Sequence, residues 1–568
     1  MSISFDAAAL LQRMAATTAR EFSYQNRIPG DSLYGAFISP EHWLDESGHV
    51  GTTRLIVRWG YLALAQAQNL PGAPTVPAFA TLLERLESAV DYLLRVQRPS
   101  GLIDLRNTNY ESGPDTAFAL QLICAFIERA RSTLELADIV AKLTLFAQRA
   151  TVGVMESGFH TPNHRWVIVG ALALAQAVLP DHPNTTPTID LYLAEGLDID
   201  ADGAYLERSI GVYDAVTARS LLFYVENTAD SAATMPVLAA VERNLAFDLH
   251  LLHADGTAET GLSVRQDYGQ RNVPTPLIAN YLNVGLLLGR QDFINAAAFL
   301  YERAGEMYDL EWLLYVLLKH GSSVTAEPAI LTSYANSYPT NKLWRYRADD
   351  LSASVFGGRT RLLHLVYRSA ELVAVKIAQA YFSVGLFIAD SLETAPDEVL
   401  LTSSGKQKPA LPAYHLPMGR PVAPETFETT KVDRDQKWIP PAESALKITP
   451  VDSGFDLHYR TLDGLDDVIA QISFDFPPGG LWETEDTVVT CAPGSVIFLK
   501  QGWGRMRYGA DVIEIAPGAC AHLARDMRHS EASGDLVRVL LTFRTPVDHR
   551  FTIRTYSLLD GMPTRMTD

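Results

Sequence analysis

Basic charge is scarce in this chain of 568 residues. It has 47 Lys and Arg against 66 Asp and Glu, a formal net charge of −19. A protein whose main task is nucleic-acid binding needs clustered Lys and Arg facing the phosphates, so that class is excluded. A local group of arginines can still hold an acidic ligand against the overall field. Cysteine is scarcer still, with only Cys124, Cys491 and Cys520 and no CxxC pair. An odd count argues against a disulfide framework, although Cys491 and Cys520 share a strand-rich region and could pair. Cys124 sits in the apolar run 117–127 and reads as a small core residue. No apolar run reaches the roughly 20 residues that cross a bilayer, so no membrane role is expected. Residues 1–22 carry Asp6, Arg13 and Arg20 in an amphipathic pattern and lack the build of a leader peptide. The expected location is therefore cytoplasmic, or periplasmic or secreted if a leader has been removed. There is no glycine-rich phosphate loop, no GxSxG elbow and no HExxH. No cofactor is expected. His250, His253 and Asp255 lack a further ligand at suitable spacing, so no metal site is assigned.

Apolar periodicity is plentiful. Residues 1 to about 325 show i, i+3, i+4 spacing in twelve segments: 7–22, 53–68, 79–97, 115–130, 134–150, 164–179, 189–195, 215–226, 232–250, 276–288, 293–303 and 310–319. Some are amphipathic, and others, such as 166–175, are apolar almost all round and so buried on every side. Alternation of the two kinds predicts two concentric rings of helices, an (α/α) toroid that is incomplete or built of six hairpins. From about residue 340 the texture changes to short Val-, Leu-, Tyr- and Phe-rich runs broken by glycine and charge: 352–356, 361–368, 372–381, 386–390, 454–460, 467–474, 487–491, 495–500, 505–508, 511–515, 536–543 and 550–556. These predict an antiparallel β-sandwich. The expected division is a toroid over 1–335 and a β-sandwich over 336–568. A Pro- and Lys-rich irregular excursion spans 403–441.

The unusual polar residues lie in the connectors between helices, and they recur at intervals of roughly 50 residues without a sequence repeat. They are Asn107 to Asp115, Thr161-Pro162-Asn163-His164-Arg165-Trp166, Asp202 to Tyr213, and Glu259 to Tyr268. Two of these islands together offer an amide, an imidazole and a phenol: Asn163, His164 and Tyr213. Such groups suit abstraction of a proton next to a carboxylate, as in elimination on a uronic acid. That reaction needs donors to neutralise the carboxylate, a base near C5 and an acid for the leaving O4. Asn and His can donate hydrogen bonds to the developing enediolate. A phenol transfers protons well once nearby positive charge favours the phenolate. Pro162 and Asn163 also open a helix, whose N-terminus favours an anion.

Plainer readings stand beside these. Asn163 is equally an N-cap, His164 a first-turn residue and Tyr213 a packing tyrosine at a helix start. Glu207 and Arg208 read as a loop ion pair, or as substrate contacts. Asn109, Glu111 and Asp115 fit a turn and helix cap, or else a second wall of a cleft. Trp166, Tyr205, Arg265 and Tyr268 are further candidates for holding sugar. His364, bounded by Arg359, Arg361 and Arg368, and His415 are histidines of the β region that could reach a cleft.

An all-helical toroid followed by a β-sandwich resembles the heparinase II/III-like polysaccharide lyases, which also include alginate and oligoalginate lyases. Asn163-His164 ahead of a helix and Asp202-Gly203-x-x-x-Glu207-x-Ser209-x-x-x-Tyr213 downstream carry the specific part of that resemblance, within residues 105–270. The resemblance implies a carbon–oxygen lyase that cleaves an acidic poly- or oligosaccharide by β-elimination and leaves an unsaturated uronate at the non-reducing end. It implies that Asn163 and His164 neutralise the carboxylate or supply the base. Tyr213 would be the acid, or both base and acid. His364 would contribute from the β domain. The H-x-H-x-D type segment common in these lyases is absent here, so a structural divalent metal is not supported. Sulfated glycosaminoglycan, alginate and other glucuronate polymers all remain open as substrates, as does a homodimer. Two alternatives are a glycoside hydrolase using paired carboxylates, Glu111 or Asp115 with Asp202 or Glu207, and a non-catalytic carbohydrate-binding protein.

Overall fold

The computed structural model describes residues 2–38, 48–305, 307, 309–380, 385–406, 414–527 and 530–560. The chain forms two compact units. One comprises Met1–Leu252 with Gly256–Ile330, and the other His253–Asp255 with Leu331–Asp568.

The first unit contains twelve α-helices in the described residues. They are α1 (Ala7–Tyr24), α2 (Gly48–Ala67), α3 (Phe79–Val96), α4 (Gly113–Ala130), α5 (Ala137–Met155), α6 (Pro162–Val178), α7 (Thr186–Ala194), α8 (Tyr213–Asn227), α9 (Ser231–Leu251), α10 (Leu277–Leu288), α11 (Gln291–Arg303) and α12 (Leu310–His320). The even-numbered helices touch one another in succession, and α12 returns to α2. They form a closed inner ring of six, with the odd-numbered helices outside. The inner helices are the ones apolar nearly all round: in α6 every residue from Trp166 to Ala175 is buried. Outer helices keep a wet face, as in α3, where Leu82, Leu86, Ala89, Val90 and Leu93 are buried and Glu84 is exposed.

Small residues allow the inner helices to approach closely. A Cβ on Gly170 of α6 would lie 2.3 Å from the backbone oxygen of Ser220 on α8. The Gln121 amide of α4 donates to Val167 O and to Ser220 Oγ, both at 3.0 Å, and so ties three neighbouring helices together. The ring closes on a buried ion triad. Arg58 of α2 reaches Glu21 of α1 and Glu311 of α12, each at 2.6 Å, and the Trp59 indole donates to Glu21 at 2.8 Å. The N-terminal strand Ile3–Asp6 pairs antiparallel with Ser323–Ala326, joining the start of the toroid to its end.

The second unit holds a nine-stranded and an eight-stranded sheet, plus the short pair Tyr414–His415 with Gln436–Lys437. The eight-stranded sheet runs from Val496–Phe498 at one edge to Ser333–Tyr338 at the other. Pairing is antiparallel except where Val496–Phe498 runs parallel to Val537–Arg544. The two sheets share one apolar core, to which Trp344, Leu363, Val375 and Phe474 come from one sheet and Leu446, Phe455, Ile513 and Phe551 from the other. This is a β-sandwich.

Several expectations change in detail. Residues 386–390 are not a strand: only Leu386 makes a bridge, to Ala378. Ser333–Tyr338, Leu343–Ala348, Ser391–Ala395, Glu398–Ser403, Ser444–Val451 and Leu481–Thr484 are strands that the apolar pattern did not reveal. Within the excursion, residues 407–413 lie outside the described residues. The rest includes two 3₁₀ turns, Pro424–Thr426 and Thr429–Asp433, and places His415 in an exposed two-residue strand. All three cysteines are free, so Cys491 and Cys520 do not pair.

Candidate active site

The polar islands precede inner helices. Antiparallel hairpins return the connectors before α4, α6, α8 and α10 to one end of the ring. That geometry joins residues far apart in sequence. Thr161 is the N-cap of α6 and Pro162 starts the helix, so Asn163 lies inside the first turn and is not the cap. Its backbone N–H donates to Glu207 Oε2 at 3.1 Å, and its side-chain amide donates to the same oxygen at 2.7 Å. Glu207, from the connector before α8, therefore supplies the anion that the N-terminus of α6 favours. Asn163 is 1% exposed and Glu207 4%. Burial pushes the Glu207 carboxyl up from its ordinary value, opposed by the Asn163 amide and by Arg265.

Arg265, from the connector before α10, holds the site together. Its guanidinium lies 3.2 Å from Glu207 Oε1 and 4.5 Å from the centre of the Tyr213 ring. Glu207 thus pairs with Arg265, not with its sequence neighbour Arg208. Tyr213 is the first residue of α8 and is partly exposed, and its hydroxyl oxygen accepts from Gln266 Nε2 at 2.6 Å. Hydrogen bonds hold the approach to Tyr213. Asp267 accepts from Ser209 Oγ at 2.9 Å, from Gly211 N at 3.1 Å and from Ser263 Oγ. Tyr213 N–H donates to Ser209 Oγ at 3.3 Å. Gly211 is needed here because a Cβ would fall 2.9 Å from Asp267 Oδ2.

His164 follows Asn163 on α6 and packs edge-on against His160 (4.6 Å between centroids) and Phe118 (6.0 Å). Burial, then the charges of His160 and Arg265, lower its pKa to about 4, so the imidazole is neutral at neutral pH. Its Nδ1 is buried and has no hydrogen-bond partner among the described residues.

Other candidates are placed differently. Trp166 is fully buried, with its indole N–H donated to Asp198, while Arg165 reaches Glu195 at 3.0 Å and Asp198 at 3.5 Å. Tyr205 is 2% exposed in the bridge to Ile199. Both aromatics are buried and present no face to a sugar. Asn109 donates to Asp115 Oδ2 at 3.3 Å, and Asp115 accepts from Ser112 Oγ at 2.6 Å, which closes the first turn of α4. Glu111 is exposed with φ +46°, and Arg208 has φ +49°. Tyr268 is half exposed. His364 belongs to the other unit, buried in the strand Leu363–Tyr367, with Nε2 3.1 Å from Glu371 Oε1 and its ring 5.2 Å from that of His253. Gln266, Asp267 and His160 were not singled out from sequence. The signal for the first two was the density of side-chain donors and acceptors between Ser263 and Asp267.

No family model matches the sequence, and no curated protein matches it. Solved structures do. A heparinase III is 9% identical with a TM-score of 0.54, covering 97% of this chain and 84% of that one. A heparan sulfate lyase from Pedobacter heparinus is 9% identical with a TM-score of 0.52, covering 97% and 88%. A chondroitin AC lyase from Streptomyces coelicolor A3, solved in complex with chondroitin sulphate, is 12% identical with a TM-score of 0.55, covering 96% and 79%. The chain has the fold of the toroid-type polysaccharide lyases. Within this lyase fold, the end of the toroid that carries Asn163, His164, Glu207, Tyr213 and Arg265 is the candidate active site.

Proposed function

We propose that the chain is a lyase that cleaves a uronate-containing glycan by β-elimination. The observation that carries this reading is the junction at Arg265, which contacts Glu207 and Tyr213 and bears on His164, a histidine held neutral by burial. An uncharged imidazole is ready to accept a proton at neutral pH, and His164 takes the proton from C5 of the uronate. The electrons of that C–H bond form the C4=C5 double bond, and the C4–O4 bond breaks. Tyr213 gives its proton to O4. Gln266 already donates to the Tyr213 hydroxyl oxygen, so the O–H hydrogen is left to point outward. Arg265, between Glu207 and the Tyr213 ring, is a cation placed to meet the uronate carboxylate, on which charge builds during abstraction. Asn163 acts through Glu207, whose carboxylate it holds in place, and is a positioning residue.

A paired-carboxylate hydrolase fits less well. Glu207 is buried between Asn163 and Arg265, and Asp115 closes a helix turn.

The test is a panel of uronate polymers and oligosaccharides, read by the ultraviolet absorbance of the conjugated double bond and by product masses. One or more substrates should give the absorbance. Tyr213→Phe should lower kcat by about 10²-fold or more, with the circular dichroism and Tm of the parent retained. No absorbance from any uronate glycan, or full activity in Tyr213→Phe, overturns the assignment.

A further inference from the structure

We propose that Asp214 and Asp248 share one proton, and that this hydrogen-bonded carboxyl pair is the fixture that holds the turn carrying Tyr213. The proposal deepens the lyase reading and rests on it only for the role of Tyr213. Asp214 is the second residue of α8 and Asp248 lies on α9. They are 1% and 0% exposed. Asp214 Oδ1 accepts the Ser209 N–H at 3.1 Å, and the Asp214 N–H donates back to Ser209 O at 3.0 Å. Those two bonds close the turn from Ser209 to Tyr213. Asp214 Oδ2 and both Asp248 oxygens are buried and receive no hydrogen bond from any other described residue.

Three buried carboxyl oxygens with no donor are costly if both groups are ionised. One proton on Asp248, donated to Asp214 Oδ2, satisfies two of the three and leaves the third an uncharged carbonyl oxygen: it removes a charge and makes a hydrogen bond. The surroundings favour this state. The ionisable groups bearing on the pair are Tyr205 in the preceding connector, Tyr281 on α10, and the carboxyls of Asp198, Glu207 and Asp267. Arg243 on α9 is a cation that bears on Tyr205. Burial raises the Asp214 carboxyl to about 8, with Asp267, Glu207 and Asp198 adding to the shift and the Ser209 N–H opposing it. Burial and then Asp214 raise Asp248 well above the ordinary range. A carboxyl pair that keeps a proton in the folded chain, and would lose it unfolded, makes stability fall as pH rises from the ordinary carboxylate range towards about 8.

The experiment compares the Tm of the full chain and of Asp248→Asn across about pH 5 to 9. An asparagine amide can donate to Asp214 without a titrating proton. The parent Tm should fall across this window, and the Asp248→Asn curve should be flatter. Parallel curves overturn the proposal. Should Asp248→Asn fail to fold, infrared spectra of the parent decide instead: a protonated-carboxyl band at neutral pH that disappears at alkaline pH is expected, and its absence overturns the pair. Both readouts are independent of turnover, so they stand or fall apart from the lyase reading. With a substrate in hand, the alkaline limb of kcat should move upward in Asp248→Asn, which a purely structural aspartate would not cause; an unmoved limb overturns the link to Tyr213.

Discussion

At the scale of single residues, the histidine on α6 carries the sharpest prediction. With its pKa lowered to about 4, His164 is unprotonated through neutral pH and becomes imidazolium only below that value. On the acid side kcat/KM should stay level down to mildly acid pH and fall as pH drops through about 4. A fall centred near the ordinary histidine value of about 6.5 would exclude a buried His164 as the base. Titration of the imidazole by NMR gives the same number without turnover. The sequence marked Asn163, His164 and Tyr213 by residue type and by their place at helix starts. It did not show that the Asn163 amide faces Glu207, because the partner lies one connector away. Trp166 was misread for a related reason. On a helix apolar all round, periodicity gives no polar face against which to judge which side chains reach solvent.

At the scale of elements, the seam between α2 and its neighbours α1 and α12 is the place to test the toroid. Arg58 neutralises Glu21 and Glu311, both buried. Arg58→Met leaves Glu21 and Glu311 without the guanidinium that contacts both. It should destabilise the chain by about 3–5 kcal/mol, measured by urea unfolding. A loss below about 1 kcal/mol would show that the seam behaves as a solvated pair. Helix periodicity was strong enough to locate all twelve helices to within a few residues. Strands were harder. Ser333–Tyr338 reads Ser-Tyr-Ala-Asn-Ser-Tyr, an edge strand with one buried residue, and its hydrogen bonds come from Leu343–Ala348 rather than from any local apolar pattern.

At the scale of the whole molecule, stability rests on burial and polar pairing without covalent cross-links among the three cysteines. Cys124 and Cys491 are buried, and Cys520 is exposed. We expect the Tm to be the same with and without thiol reductant. Native alkylation should modify Cys520 alone, and all three should react after unfolding, as read by intact mass. A reductant-sensitive Tm, or fast native labelling of Cys124, would contradict this packing. The same fold occurs in structures only 9–12% identical over nearly the whole chain. That is expected when a toroid and a sandwich need a pattern of buried positions and not particular side chains.

The sequence by itself determined the alternation of buried and amphipathic helices, the change to strands, and the residue types available at one end of the ring. These follow from periodicities of a few residues, which local geometry imposes. Only the tertiary structure decided that Glu207 pairs with Arg265 and not Arg208, that the Asn163 amide meets Glu207, and that Asp214 and Asp248 are both buried. Partner choice among charges depends on which groups burial brings together and on the weak screening there. That is set by helices packing across long separations in the chain.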